Sequence, residues 1–140
     1  MKRKWIWIPI VVVVILAFVF LGWTNSRAGV VSHVRRNLDT LETYARNCAE
    51  HPGDYVNYNG WNTKYRAHYG VVTFQVSYLG FGSQADEKGF YYAPNGRPRT
   101  FGCDLGQEQR EERILFLGEG DNYVLTEEIA PNWFWYEQHW

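Results

Sequence analysis

The sequence lacks the features by which many enzymes and metal proteins are recognised. Only two of its 140 residues are cysteine and four are histidine. It contains no C-x-x-C or H-x-x-x-H spacing typical of zinc sites, no G-x-S-x-G turn of serine hydrolases and no H-E-x-x-H helix of metalloproteases. The sequence therefore predicts no catalytic residue, no metal ligand and no cofactor.

Clustered positive charge is also scarce. The chain has 14 Lys and Arg against 15 Asp and Glu, a formal net charge of −1. Because nucleic-acid binding depends on clustered basic side chains, nucleic acid is excluded as a predicted partner. No Asn-x-Ser/Thr acceptor occurs, so N-glycosylation is not expected.

What the sequence does contain is one long apolar run. It extends from Trp5 to Trp23, 19 residues without an ionisable side chain. As a helix it would be about 28 Å long, which matches the roughly 30 Å hydrocarbon core of a bilayer. Tryptophans near both ends are typical of helices that end among lipid headgroups. The run predicts a transmembrane anchor over residues 5–23.

The charges beside the run predict its orientation. The Lys-Arg-Lys sequence at 2–4 directly precedes it, whereas the arginines that follow are more widely spread. Since basic flanks tend to stay in the cytoplasm, residues 1–4 are predicted to be cytoplasmic and the C-terminal domain to lie outside the plasma membrane. The alternative is a secreted protein released by cleavage near Ala28, although the run is longer than a usual signal-peptide core.

A polar hinge at residues 24–29 precedes a single predicted domain at residues 30–140. Apolar residues recur at helical spacing from Val30 to Cys48, and a charged stripe runs beside them from Arg35 to Glu50. This pattern predicts one amphipathic helix. The His-Pro-Gly sequence at 51–53 is expected to end it, because proline cannot continue the hydrogen-bond ladder.

Strand-like alternation begins after this helix. Apolar and polar residues alternate from Val71 to Tyr78, which predicts a half-buried strand. The Asn95-Gly96 pair predicts a hairpin, because both central residues of a type I′ turn need positive φ. The other segments are predicted to be a short helical turn at 62–68, a mobile loop at 80–89, a charged connector at 107–113, a second hairpin from 114–117 and 123–129, and a last aromatic strand at 133–140.

The order of these elements predicts an α+β fold. It consists of the N-terminal transmembrane helix and then the amphipathic helix, packed on one face of an antiparallel β-meander of about five strands. In outline this order is similar to type IV pilins and pseudopilins, and helix on meander is similar to cystatin-like domains. The resemblance covers no motif, since the run lacks the pilin leader glycine, the processed-terminus phenylalanine and the internal glutamate.

The two cysteines predict one disulfide. Cys48 lies on the apolar stripe of the helix and Cys103 follows the predicted Asn95-Gly96 hairpin. In an oxidising compartment two cysteines most simply pair, and closing this loop would stabilise the fold by about 4 kcal/mol. Two separately buried thiols are the alternative.

Two patches are candidates for binding. Tyr91, Tyr92, Arg97 and Arg99 surround the predicted hairpin tip, where aromatic rings beside guanidinium groups would suit an anionic or glycan ligand. A second patch is rich in aromatic residues, which are typical interface anchors: Trp133, Trp135, Tyr136 and Trp140. For both patches, filling of the core of a small domain is the alternative.

The function expected from these observations is binding rather than catalysis. The chain is interpreted as a membrane-anchored extracytoplasmic interaction module of the cell envelope, with a protein or a glycan or anionic molecule as its partner. A subunit of a larger surface or secretion assembly is the alternative, and a small hydrolase is a third. The sequence alone names no ligand.

Overall fold

The computed structural model describes residues 7–140, so Trp5 and the basic residues at 2–4 lie outside the described part. The chain forms two compact units, an N-terminal one that ends at His33 and a second one, Val34–Trp140. The helices are α1 (Trp7–Thr24), α2 (Arg27–Arg36) and α3 (Leu38–Glu50), and the strands are β1 (Asn57–Tyr58), β2 (Trp61–Arg66), β3 (Val71–Phe81), β4 (Gln84–Tyr92), β5 (Gly106–Arg110), β6 (Arg113–Leu117), β7 (Tyr123–Ala130) and β8 (Trp133–His139).

Helix α1 is the described part of the apolar run. It has 18 residues and a mean hydropathy of 2.5, and none of them is buried. Its length and composition are sufficient to cross a membrane, and they are equally typical of an N-terminal signal sequence.

The predicted hinge contains the turn between α1 and α2. The Ser26 hydroxyl donates to the carbonyl of Trp23 at 2.7 Å and accepts from the Gly29 amide at 3.1 Å, so it caps the start of α2. A side chain at position 29 would place its Cβ 1.9 Å from the Trp23 carbonyl oxygen. Glycine is therefore required for this close turn.

The single amphipathic helix of the prediction is two helices. Asn37 has φ −127° and ψ 28°, which are not helical, and it separates α2 from α3. A short polar side chain that favours non-helical backbone explains why the break falls here. Most of the predicted apolar stripe is buried as expected: Val30, Val34, Leu41, Ala45 and Cys48.

All eight strands form one antiparallel sheet with the order β1-β2-β3-β4-β8-β7-β6-β5. Two four-stranded meanders are thus joined edge to edge through β4 and β8. The prediction of about five strands is too low. It assigned a helical turn where β2 lies, a connector where β5 lies and a mobile loop where β4 begins.

The type I′ turn lies at a different Asn-Gly pair from the predicted one. Asn59 and Gly60, between β1 and β2, have φ of 52° and 84°, so both have the positive values that this turn needs. At the predicted position only Gly96 has a positive φ, of 64°. The chain beyond it does not pair with β4, whose neighbours in the sheet are β3 and β8. The predicted Asn95-Gly96 hairpin is wrong.

One face of the sheet, here called the helix face, is covered by α3. The ring of Tyr44 on α3 lies 6.0 Å from that of Phe74, and Phe74 stacks on Phe90 at 4.7 Å. Trp133 of β8 extends the same cluster, 5.9 Å from Phe90. All three sheet residues are at most 1% exposed. Aromatic stacking across three strands therefore forms the core of this face.

The opposite face, here called the loop face, is covered by the connection from β4 to β5. Tyr91 stacks on Phe134 at 5.2 Å, and Phe101 of the connection meets Tyr91 edge to face at 5.2 Å. Phe101 also lies 5.5 Å from the ring of Tyr136. Successive strand residues point to opposite faces, which is why Tyr91 belongs to this cluster while Phe90 belongs to the other.

The predicted disulfide is not present. Both cysteines lie in the described part of the chain, and both are buried free thiols. Cys48 packs on the helix-face side, where its Sγ lies 3.8 Å from the Tyr55 carbonyl, whereas Cys103 belongs to the Tyr91 cluster of the loop face. The sheet separates the two sulfurs, so a bridge cannot form without rebuilding the fold.

We expect the folded chain to carry two thiols. When it is denatured without reductant in an alkylating reagent, mass spectrometry should find both Cys48 and Cys103 modified. Before denaturation both should react slowly, because they are 1% and 4% exposed. A chain that gains no label after unfolding would contain an intramolecular bridge and would contradict this packing.

Candidate interaction surface

The outer half of β3 has one side of its backbone open. Strand β3 pairs with β2 only from Val71 to Gln75, whereas its pairing with β4 continues to Phe81. Residues 77–81 are therefore paired with β4 on one side, Val76 lies in a bulge, and none of these six residues pairs with a strand on the other side. We call these six residues the free edge.

The free edge exposes large apolar side chains. Tyr78 is 60% exposed, Leu79 is 75% and Phe81 is 92%. Leu79 lies opposite Asp86 and therefore points to the helix face, whereas Tyr78 lies opposite Glu87 and points to the loop face. Both sides of the strand thus present apolar surface to solvent.

The free edge also has no charge to protect it. No Asp, Glu, Lys, Arg or His occurs between His68 and Asp86. Natural sheets usually block their edges with charged residues, proline or a bulge, and here only a bulge between Gln75 and Ser77 is present. The backbone groups of the edge are accessible to another strand.

The opposite edge of the sheet is different. Strand β5 is mostly exposed and carries Glu108 and Arg110, whose side chains form a 3.1 Å ion pair. Glu111 and Glu112 follow in the turn to β6. Charged side chains of this kind oppose pairing with a further strand. On the other side of the sheet the outermost strand, β1, has only two residues, and the part of β2 beyond it carries Lys64 and Arg66. Among the described strands, residues 76–81 of β3 are therefore the longest open edge without charge.

A shallow cavity of about 340 Å³ lies beside the free edge. Its floor contains Lys88, paired with Glu137 at 3.4 Å, and its walls include Ser77, Leu79 and Tyr123. The lining of the cavity contains both apolar and charged side chains. The cavity extends the exposed surface of the edge across β4 towards β7.

His139 holds three elements together at the rim of this cavity. Its Nδ1 lies 2.7 Å from the carboxylate of Asp86 on β4, and its Nε2 lies 3.5 Å from that of Asp121 in the β6–β7 turn. The hydrogen bond with Asp86, followed by that with Asp121, raises the pKa of His139 above 6.5. The folded chain therefore stabilises the imidazolium form of His139 relative to the unfolded chain.

The loop face contains a buried ionic network. Arg66 donates from Nη2 to Glu87 at 2.9 Å, and its guanidinium lies 5.3 Å from the centre of the Phe101 ring. The Tyr136 hydroxyl donates to the same carboxylate, and Glu87 is 4% exposed. Burial, reinforced by the negative charge of Glu87, raises the pKa of Tyr136 well above 10. Tyr136 therefore remains a neutral donor at physiological pH, and the network links β2, β4 and β8.

The four residues of the predicted ligand patch do not form one surface. Tyr91 and Tyr92 are buried and lie on opposite faces of β4. The Tyr91 hydroxyl accepts from the Arg99 amide at 3.0 Å, and burial raises its pKa to about 12. Arg99 donates from Nε to the Tyr69 carbonyl at 2.8 Å. Only Arg97 of the four is fully exposed.

The predicted aromatic interface lies largely in the core. Trp133, Trp135 and Tyr136 are at most 4% exposed, and Trp140 is partly exposed. Trp133 and Trp135 lie opposite Tyr92 and Phe90 on the helix face, whereas Tyr136 lies on the loop face. Trp133, Trp135 and Tyr136 therefore fill the core of the domain, which was the alternative interpretation of this patch.

Sequence reasoning missed the free edge because it assigned residues 80–89 to a mobile loop. Glycines at 80 and 82 and the polar residues after them are typical of a loop. Nevertheless one signal was present: apolar residues at 78, 79 and 81 lie in a long stretch without charge. A run of this kind on an edge strand indicates a pairing surface.

We expect the buried ion pair to stabilise the fold far more than an exposed one. Arg66→Met leaves the Glu87 carboxylate buried without its cation and should lower the free energy of unfolding by about 2–4 kcal/mol. The matched control, Lys88→Met, removes a pair whose side chains are 50% and 27% exposed and should cost less than about 1 kcal/mol. Urea unfolding measures both, and equal losses would contradict the network's role.

We also expect His139 to make stability depend on pH. Because its pKa is raised in the folded state, the stabilisation is fully present below about pH 6.5 and is lost as pH rises through the higher folded value. The urea midpoint should therefore fall on going from pH 6 to pH 8.5. His139→Gln should remove that fall, whereas His51→Gln, at the exposed end of α3, should leave it intact. A wild-type midpoint that rises over this range would contradict the assignment.

No family model matches the chain, and neither a curated protein nor a solved structure matches it.

Proposed function

We propose that the chain is a single-pass membrane protein whose C-terminal domain, outside the cytoplasm, binds another protein through the free edge of β3. The observation that carries the proposal is that residues 76–81 combine an unpaired strand edge with three large exposed apolar side chains. Elsewhere in the described domain the aromatic residues are mostly packed inside. Binding by addition of a strand uses backbone hydrogen bonds of this kind for affinity.

The membrane anchor is supported by α1 and the residues before it. Its 18 helical residues correspond to about 27 Å and present apolar side chains over their whole length. Such a surface is stable in lipid and unfavourable in water. The basic sequence at 2–4 favours a cytoplasmic start and an extracytoplasmic domain.

Retention of the anchor is favoured over cleavage near Ala28. The candidate Ser-Arg-Ala site at 26–28 forms the cap and first turn of α2. The apolar run is longer than the core of a usual signal peptide, and Ala28 lies five residues beyond its last residue, Trp23.

A protein partner is favoured over a glycan or anionic ligand. The ligand patch would need several cationic groups, yet Arg99 already donates to Tyr69 and contributes its amide to Tyr91. The apolar free edge offers no charge that an anion could bind. A subunit of a larger surface assembly remains the second candidate, since the same edge would serve it.

A nucleophilic role for Cys48 is not supported. Burial raises the pKa of this thiol, and its sulfur points to the carbonyl of Tyr55. The thiolate, which is the reactive form, is therefore disfavoured. Among the described residues no group of three or more His, Cys, Asp or Glu side chains is placed to hold a metal ion.

Topology is tested on the full chain in its native membranes. We expect it to stay in the membrane fraction after alkaline extraction at its full mass, with residues 34–140 accessible to protease only from outside the cytoplasm. If the mature protein were instead a soluble product that begins after Ala28, the chain would be secreted and the proposed anchor would be contradicted.

The binding surface is tested by affinity purification with two matched substitutions. Phe81→Lys should abolish co-purification of the partner, because it places a charge on the free edge at a side chain that is 92% exposed. Val56→Lys changes another exposed apolar residue, 61% exposed, and should leave the partner bound. Equal recovery of the partner with both variants would contradict binding at the free edge.

A further inference from the structure

We infer that the partner at the free edge is a second copy of this chain, paired antiparallel through residues 77–81. This rests on the proposed function and names its partner. The two sheets would join at β3 into one continuous sheet around a two-fold axis perpendicular to it. A two-fold interface requires that one surface be complementary to itself.

The sequence of the edge satisfies that requirement. In an antiparallel pair related by this axis, residues that lie opposite each other must point to the same face. With Leu79 opposite its own symmetry copy, Ser77 lies opposite Phe81 and Tyr78 lies opposite Gly80. Phe81 and Tyr78 then each lie opposite a small residue, and Leu79 lies opposite the Leu79 of the second copy. No charged side chains lie opposite each other.

Gly80 has a specific part in this arrangement. A Cβ at this position would lie 2.7 Å from the hydroxyl oxygen of Tyr78 in the same strand, so the tyrosine ring occupies the space above the glycine. In the pair, two such rings would lie side by side over two glycines on the loop-face side. An aromatic ring that covers a glycine is a known device for stabilising a strand edge.

The asymmetry of the two sheet edges favours a closed pair over a filament. If both edges were open, β3 of one copy could bind β5 of the next and the sheet would grow without limit. Here β5 carries Glu108 and Arg110 and is blocked. On the side of β3 the outer edges of β1 and β2 are short or charged, since β1 has two residues and β2 carries Lys64 and Arg66. With one long uncharged edge per chain, two copies can pair with each other and no third copy is added.

The small size of the contact is consistent with two copies held in one membrane. Five residues on each side provide about five backbone hydrogen bonds, roughly half of the number in a standard protein interface. Such a contact is too small for a stable dimer in dilute solution. Anchoring both chains in one bilayer raises their effective concentration enough for a weak contact to form.

Cysteine crosslinking in native membranes tests this pairing on the full chain. Leu79→Cys places two thiols opposite each other on the axis, and mild oxidation should give at least about tenfold more covalent dimer than Glu108→Cys on the blocked edge. The wild type supplies the background, since its own thiols are 1% and 4% exposed.

The register has its own test. Ser77→Cys and Phe81→Cys, co-expressed on two distinguishable copies, should crosslink to each other, whereas each alone should give little dimer. Dimer from Glu108→Cys equal to that from Leu79→Cys would overturn the inference, because random collision would explain both.

A photoreactive phenylalanine analogue at position 81 separates failure of this inference from failure of the proposed function. An adduct with the mass of two chains supports the second copy. Adducts with other proteins only, together with no Leu79→Cys dimer, would overturn the self-pairing and leave the free edge as a binding surface. No adduct of either kind would overturn both.

Discussion

The pairing of β4 with β8 is the interaction on which the rest of the structure depends. Seven residue pairs, from Asp86 with His139 to Tyr92 with Trp133, join two meanders that are otherwise separate in sequence. This register places Phe90 and Trp135 on one face and Tyr91 and Phe134 on the other. A shift of one residue would exchange the faces of every side chain along the strand.

Both clusters of the core follow from that register. The helix face receives Trp133 beside Phe90, where α3 covers them, and the loop face receives Tyr136, which donates to Glu87. The buried carboxylate of Glu87 forms an ion pair with Arg66, which lies on a third strand, β2. Because an unpaired buried charge is costly, this network penalises other registers as well as linking the strands. An aromatic core alone would not specify one strand register in this way, because rings of similar size can replace one another.

The same geometry exposes the free edge. Strand β3 has 11 residues and β2 has six, so the longer strand continues beyond its neighbour. From Ser77 to Phe81 every residue of the strand is exposed. A surface with unpaired backbone and exposed Leu79 and Phe81 is energetically unfavourable in a protein that remains alone. Association at this edge would remove that cost, which is the physical reason why the proposed function is assigned to it.

Local patterns in the sequence predicted the elements whose contacts are local. The strand that begins at Val71, the hairpin of β6 and β7 and the aromatic strand β8 are confirmed. The expectation that the strand from Val71 is half-buried is wrong, because residues 71–74 are buried on both faces of the sheet. Residues 62–68 were instead predicted to form a short helical turn, although they lie mostly in β2, and the informative signal was the Asn59-Gly60 turn before it.

The features that sequence could not predict depend on distant residues. Nothing local to β4 shows that its partner is β8, about 45 residues away, and with that pairing unknown the two cysteines could not be placed on opposite faces. The free edge was missed for a related reason. From the sequence, a large aromatic residue such as Trp133 resembles an interface anchor, and only the fold shows that it is buried. Leu79 and Phe81 have no distinctive sequence pattern, and they are exposed only because β2 ends before it reaches them.

Hydrogen exchange at residues 76–81 tests the central claim most directly. The full chain would be compared in nanodiscs that hold one copy each and in vesicles of the same lipid that hold many copies. The account predicts that exchange of these amides slows in the many-copy vesicles while the β5 edge is unchanged, because only the free edge gains a strand partner. Identical exchange of residues 76–81 in the two preparations would contradict it.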